Sequence, residues 1–439
     1  MLVAFGMIGT SLSGVTFVSV PGAVARDSFS YFQITLGYLL GYVVIAYLLL
    51  PLYYKLQLTS IYNFLSARLG NVSYKTGASF FILSRTLGAT ARLYLVVKIL
   101  QDAILQNLGI PFWVTTFIIL FMIVLYTYQG GVKTIVWTDT LQTVCMITGL
   151  VVCVVFILNN LHLSVGQSLD AMAVKGYSKV FFTNPDSKLF YWKQIIAGAF
   201  ISITMTGMDQ EMMQKNISVK KLGDSQKNVL TMAIVMLFVI LLFLFLGGLL
   251  YLFAGQQHLI ATGDKLFPMV ALTYMPPFVG VIFIIALISA LFPSADGAIT
   301  ALTSSFCIDI LAINRRKNLS EAKQKRIRHT VHLSFAFIFL LFVMIYKWMN
   351  NPSMIGVILK IAAYTYGPLL GLFSFSILTK KQVKDGWVPV ICIASPIICF
   401  ILDSCQKQLF GSFEIGLELL VINGLLTFIG LLLISKRHK

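Results

Sequence analysis

The sequence predicts an all-α polytopic membrane protein, and three observations carry the prediction. Of 439 residues, 58% are hydrophobic and only 11% charged, under half the roughly 25% charge share of soluble domains. Mean hydropathy is +0.87. The apolar residues fall in continuous runs long enough for about twelve crossings at ~20 residues per helical span. Continuous rather than alternating runs argue against a β-barrel, and helices satisfy every backbone polar group within lipid. A soluble enzyme is excluded and a nucleic-acid binder nearly so. The excess of 33 basic over 16 acidic residues, +17, fits cytoplasmic loops, which accumulate Lys and Arg.

The first run, 2–24, enters the membrane at once, with no charged leader or small-residue cleavage site, so it is not read as a signal peptide. Either this helix starts at the membrane edge or an upstream segment is missing. Thr10-Ser11-Leu12-Ser13-Gly14 interrupts it, with Pro21-Gly22 beyond. The run 32–54 follows, then 77–107, which carries Arg85, Arg92 and Lys98. Arg85 and Arg92 lie two turns apart on one helix face. They present cations either to an anionic substrate or to carboxylates such as Asp102. After 112–128 comes 137–158, with Asp139 just inside it. The run 193–213 is broken by Thr204 to Gln210, and 228–254 is unbroken. Asp296 lies deep in 277–306. The runs 330–349 and 353–378 follow; in the second, Gly367-Pro368 predicts a kink, with Lys360 ahead of it. The last two are 388–403 and 414–435.

Orientation follows from the loops. One set holds Lys55, Arg68, Lys75, Lys133, Lys215, Lys220, Lys221, Lys227, the run Arg315 to Arg328, Lys380, Lys381, Lys384 and the tail from Lys436. The opposite set, Arg26, Lys175, Lys179, Lys188, Lys265, Lys347 and Lys407, is poorer. The alternation places both termini in the cytoplasm. The six cysteines form no C-x-x-C pair and read as inert buried thiols. The five histidines fall in loops or at helix ends. No nucleotide-binding or zinc-protease motif is present, which argues against ATP-driven transport by this chain alone.

Two interruptions at comparable depth in the two halves point to broken helices meeting at a midplane site; the simpler reading is Ser and Thr bonding back to their own helix. Ionisable groups within spans cost ~2.5–3.5 kcal/mol or more at the centre and are usually functional. Asp139 and Asp296 either hold a cation or proton, or neutralise Arg85, Arg92 or Lys360.

The stretch Gly130-Gly131-Val132-Lys133-Thr134-Ile135-Val136-Trp137-Thr138-Asp139-Thr140-Leu141-Gln142 resembles the G-G-x(5)-W-T-D-x-x-Q pattern of the sodium:solute symporter family. Ser11-Leu12-Ser13-Gly14 to Val20-Pro21-Gly22 is similar to the family as well, and Asp209-Gln210-Glu211-Met212-Met213-Gln214-Lys215 resembles its D-Q-x-x-x-Q-R run. The likeness runs from residue 1 to about 380. It implies a LeuT-type fold: inverted five-helix repeats over 1–158 and 193–378, an extracytoplasmic loop at 159–192, and two further helices with a short tail over 379–439. The family has one more helix before the first repeat.

The resemblance implies a sodium-coupled symporter of a small polar organic solute, not an enzyme, with sodium as coupling ion and no organic cofactor. The alternatives are proton coupling, or a membrane sensor that keeps the fold. Sodium ligands map to Gly9, Leu12, Ala290 and Ser294. Pro293 stands where a coordinating Ser is usual, so coordination is expected to shift toward Asp296 and Asp139. Substrate candidates are Ser11, Thr16, Gln33, Thr206, Asp209, Gln210, Tyr364 and Tyr366, with Arg92 as an anion contact. The partners are the solute and the bilayer, with no nucleic acid and no obligatory protein, and the location is a bacterial inner membrane.

Overall fold

The computed structural model describes residues 2–56, 60–127, 132–313, 319–349 and 353–436. Gly130 and Gly131 of the glycine-led motif, and Arg315, Arg316 and Lys317 of the basic run, lie outside them. Among the described residues the elements are helices, apart from a two-residue antiparallel pair, Gln382–Val383 with Ser435–Lys436, and an isolated bridge between Phe182 and Phe190.

The helices are α1 (Leu2–Ser11), α2 (Gly14–Gly22), α3 (Tyr31–Leu56), α4 (Asn63–Arg68), α5 (Asn71–Leu100), α6 (Phe112–Thr127), α7 (Val132–Leu161) and α8 (Val165–Val174). There follow α9 (Tyr191–Met205), α10 (Gln210–Ile217), α11 (Leu222–Gln256), α12 (Pro277–Ser305), α13 (Glu321–Met349), α14 (Met354–Thr365), α15 (Gly367–Leu378), α16 (Val388–Ser404) and α17 (Leu419–Leu433). Among the described residues, seven helices are long and apolar enough to cross a membrane, nine counting two bent pairs. Helices α6 and α17 are shorter apolar helices.

The interruptions are real breaks. Helices α1 and α2 meet at 54° across Leu12-Ser13, and Ser13 caps α2 in a reciprocal box with Thr16. Helices α14 and α15 bend by 44° at the Gly367-Pro368 step. The carbonyls freed there are claimed by Asn423 of α17, whose amide donates to Ala363 O and Tyr364 O, both at 2.9 Å. Between α9 and α10 the chain unwinds over Thr206–Asp209. Tyr53 and Tyr62 donate to the exposed carbonyls of Gly207 and Met208, at 2.9 and 2.8 Å. These side chains repair backbone that would otherwise be unsatisfied in lipid.

Helix α5 starts six residues before its apolar run. Asp385 accepts from the amides of Val72 and Ser73, at 2.8 and 2.7 Å, and from the Ser73 hydroxyl. Such a cap from a distant loop leaves no local signal. Gly70 just ahead has φ +136° and lies against Asp385, a conformation that only glycine adopts readily.

Helix α3 packs on α9 at backbone distance. A Cβ on Gly37 would strike Ile195 O, one on Gly41 would strike Ser202 Oγ, and one on Gly198 would strike Ile34 O. Small residues four apart on both helices are the usual device for close approach within lipid. We expect Gly37→Val to destabilise the protein by about 1–3 kcal/mol through overpacking, read as a lower melting temperature in detergent.

Candidate functional site

The first break opens on a cleft with ≈ 100 Å³ of water-accessible space. Its polar lining includes Ser11, Thr16, Tyr31, Arg85, Arg92 and Thr206. Tyr31 and Tyr38 hydroxyls share a hydrogen bond at 3.3 Å, and Tyr42 also faces the cleft. Arg92 forms no ion pair or hydrogen bond with any described residue. Its guanidinium, always charged and carrying five donors, lines the cleft without an ion-pair partner among the described residues.

Beneath the cleft a buried chain of charges runs through four elements. Arg85 of α5 bonds Glu211 Oε2 and lies 3.6 Å from Asp209 Oδ2. Glu211 Oε1 accepts from Lys215 Nζ at 2.8 Å, and the same ammonium donates to Asp139 Oδ2 at 2.8 Å. Thr10, the last hydroxyl of α1 before Ser11, takes the third Lys215 proton at 2.8 Å. Arg85, Asp139, Asp209, Glu211 and Lys215 are all buried. Asp209 also caps α10, its Oδ1 accepting from the amides of Glu211 and Met212 at 2.9 and 3.1 Å. Negative charge at a helix N-terminus is favoured by the unpaired amides and the helix dipole. Gly297 of α12 is a packing requirement, since a Cβ there would overlap the Glu211 carboxylate.

Asp296 lies within electrostatic reach of Asp139, Glu211 and Lys215 without being ion-paired to the chain. It accepts from Tyr126 of α6 at 2.6 Å and forms no ion pair among the described residues. Of the other expected ion ligands, Leu12 lies at the break and Gly9 lies against Thr143 and the Asp139 carbonyl. Ala290 is buried, and Ser294 is buried with its hydroxyl unpartnered. Pro293 sits inside α12, so the amide that would serve the Ser289 carbonyl is missing.

The expected substrate residues divide. Ser11, Thr16, Thr206 and Arg92 line the cleft; Tyr366 lines a smaller adjoining cavity with Arg85 and Arg92. Asp209 and Gln210 lie behind it, Asp209 as the cap and Gln210 accepting from the Ile61 amide at 3.0 Å. Gln33 ties an outer loop, donating to Ser30 O and Leu189 O and accepting from the Phe182 amide. Tyr364 donates to Asp403 at 2.7 Å, and Lys360 pairs with the same carboxylate. Sequence reasoning placed Lys215 among loop charges; the structure puts it in the core. The available signal was its position four residues after Glu211, which puts both on one helix face. Tyr126 and the cleft tyrosines carried no signal of their own.

The model of the sodium:solute symporter family matches residues 1–389. The sodium/sialic acid symporter NanT of Aliivibrio fischeri is 23% identical over 444 residues, covering 96% of this chain and 84% of its own length. The sodium-coupled monocarboxylate transporter 1 of Mus musculus is 24% identical over 396 residues, 88% of this chain and 63% of its own length. Among solved structures, the substrate-bound outward-open state of a Na+-coupled sialic acid symporter aligns over 100% of this chain and 91% of that one, with a TM-score of 0.82 at 20% identity.

Removing one member of a buried ion network leaves uncompensated charge, so we expect Arg85→Ala to destabilise the protein by about 3–5 kcal/mol. The unpaired Arg92→Ala should cost under about 1 kcal/mol. Thermal unfolding of the two purified variants compares them directly.

Proposed function

Because the chain belongs to the sodium:solute symporter family, we propose that it couples sodium entry to uptake of a small solute bearing a carboxylate, by alternating access. The observation that carries the substrate class is Arg92: a guanidinium lining the cleft with no described carboxylate within ion-pair distance. A planar carboxylate matches its fork of donors, and the relatives named for sialic acid and monocarboxylates bind solutes of that kind. Ser11, Thr16 and Thr206, with Tyr31 and Tyr38, supply hydroxyls for the rest of the solute. The sodium coupling of the relatives favours sodium over the proton as coupling ion, and transport over a sensor.

We read the architecture as about twelve spans in a LeuT-type arrangement. Inverted repeats fill 1–158 and 193–378, a loop spans 159–192, and two helices fill 379–439. Both termini are cytoplasmic, in a bacterial inner membrane. Sodium is placed between the break of the first span and α12, on the carbonyls of Gly9, Leu12 and Ala290 and the Ser294 hydroxyl. The unpartnered Ser294 oxygen supports this, as does Pro293, which brings no amide to the Ser289 carbonyl. Asp296, paired with no described cation, supplies negative charge close by along α12. Sodium binding there would hold the two half-helices in register and favour the open cleft. Each ligand would then raise the affinity of the other by the same factor.

In proteoliposomes, an inward sodium gradient should drive uptake of a sialate or a short monocarboxylate, and a choline gradient should not. Arg92→Gln should raise KM for that solute at least ~10-fold, the loss of about 1.4 kcal/mol or more, while sodium binding persists. An unchanged KM would remove the carboxylate assignment. Asp296→Asn should raise the half-saturating sodium concentration; intact sodium-coupled uptake would remove Asp296 from the ion site.

A further inference from the structure

Three oxygens converge on Lys215 Nζ: Asp139 Oδ2, Glu211 Oε1 and Thr10 Oγ1, each at 2.8 Å. They use all three donors of the ammonium. They come from α7, α10 and α1, and the last is the C-terminal end of a half-helix, where the dipole is negative. Hard oxygens around a buried positive point are also the donor set that suits a hard metal cation. Asp139 Oδ1, fully buried, has no hydrogen-bond partner, so the carboxylate that meets the ammonium holds oxygen capacity that the ammonium does not use. Among the described residues, Asp139, Asp209 and Glu211 form ion pairs with Arg85 and Lys215 alone, with Arg92 and Asp296 in electrostatic reach beyond them. The ion-paired set, three carboxylates with Arg85 and Lys215, is one charge negative with Lys215 and two without it.

We propose that Lys215 is a tethered cation filling a monovalent-cation position formed by Asp139, Thr10 and Glu211, and that removing its charge opens the position to sodium. The proposal rests on the sodium-coupled reading and adds to it a position that the chain closes with its own side chain. An ordinary buried salt bridge behaves differently. Losing one partner then leaves carboxylates that no solute cation relieves, and the loss is the same in any salt.

The test counts radioactive sodium bound at saturation by the purified full chain in detergent, with choline holding ionic strength constant. Lys215→Gln is expected to bind one more sodium than the unaltered protein. Lys215→Arg, which keeps the charge, is expected to bind the same number. An unchanged count in Lys215→Gln, or an extra ion in Lys215→Arg, overturns the proposal. If Lys215→Gln is too unstable to titrate, its melting temperature in sodium and in choline decides. A ligand that binds only the folded state raises stability, so a sodium-specific rescue larger than that of the unaltered protein is expected, and equal instability in both salts overturns the proposal. Failure of the unaltered protein to bind sodium would instead overturn the sodium-coupled reading, because the tethered cation is judged from the difference between variant and parent.

Discussion

Charge buried in a low-dielectric interior must be answered within reach, because desolvation of an ion costs several kcal/mol even after relaxation. In this protein that requirement shapes the middle of the fold. Arg85, Glu211, Lys215 and Asp139 form a continuous relay from α5 through α10 to α7, with Thr10 tying in the end of α1. None of these helices presents the charges on a water-facing surface, so each charge holds its place only while its neighbours hold theirs. The relay links the helices that meet at the breaks, and buried ion pairs of this kind are poor sources of net folding energy yet costly to break one partner at a time.

The second requirement concerns backbone. Each break in a helix strands amides and carbonyls, and the structure answers each with a dedicated side chain. Ser13 serves α2 and Asp209 serves α10; Tyr53 and Tyr62 serve the unwound stretch before α10, and Asn423 serves the bend at Gly367. Irregular backbone at membrane depth is tolerated only under such cover. Asp209 meets both requirements at once, capping a half-helix with one oxygen and facing Arg85 with the other. A carboxylate in that position ties the geometry of the break to the state of the charge relay.

Much of this was legible in the sequence, and what was not has identifiable causes. Apolar runs located the helices, small polar residues marked the breaks near Ser13 and Gly207, and Gly367-Pro368 marked the bend, because all are local consequences of chain chemistry. Tertiary partners were not legible. Lys215 sits in a stretch rich in lysines, and its one local mark, the spacing from Glu211, says that the two share a helix face but not that the face is buried, unlike Lys220 and Lys221, which are exposed. Gln33 and Tyr364 have the chemistry of ligand contacts, yet they meet a loop and Asp403, since side-chain type does not say which way a helix is turned. The early start of α5 depends on Asp385, which arrives from more than three hundred residues downstream.

The glycine contact between α3 and α9 has a mechanical consequence. Where two helices touch through glycine backbone and the short side chain of Ser202, no long flexible side chains lie at those contacts to absorb sliding, and the interlocked surfaces resist shear. Helices α3 and α9 therefore act as a single stiff strut joining the first half of the molecule to the second. Strain that reaches the strut passes to its ends, and the end of α9 is the unwound Thr206–Asp209 segment, the next joint along the chain able to yield. A pivot at that place would move the cap of α10, and Glu211 and Lys215 with it, so that a change in tilt between the two halves reaches the charge relay first.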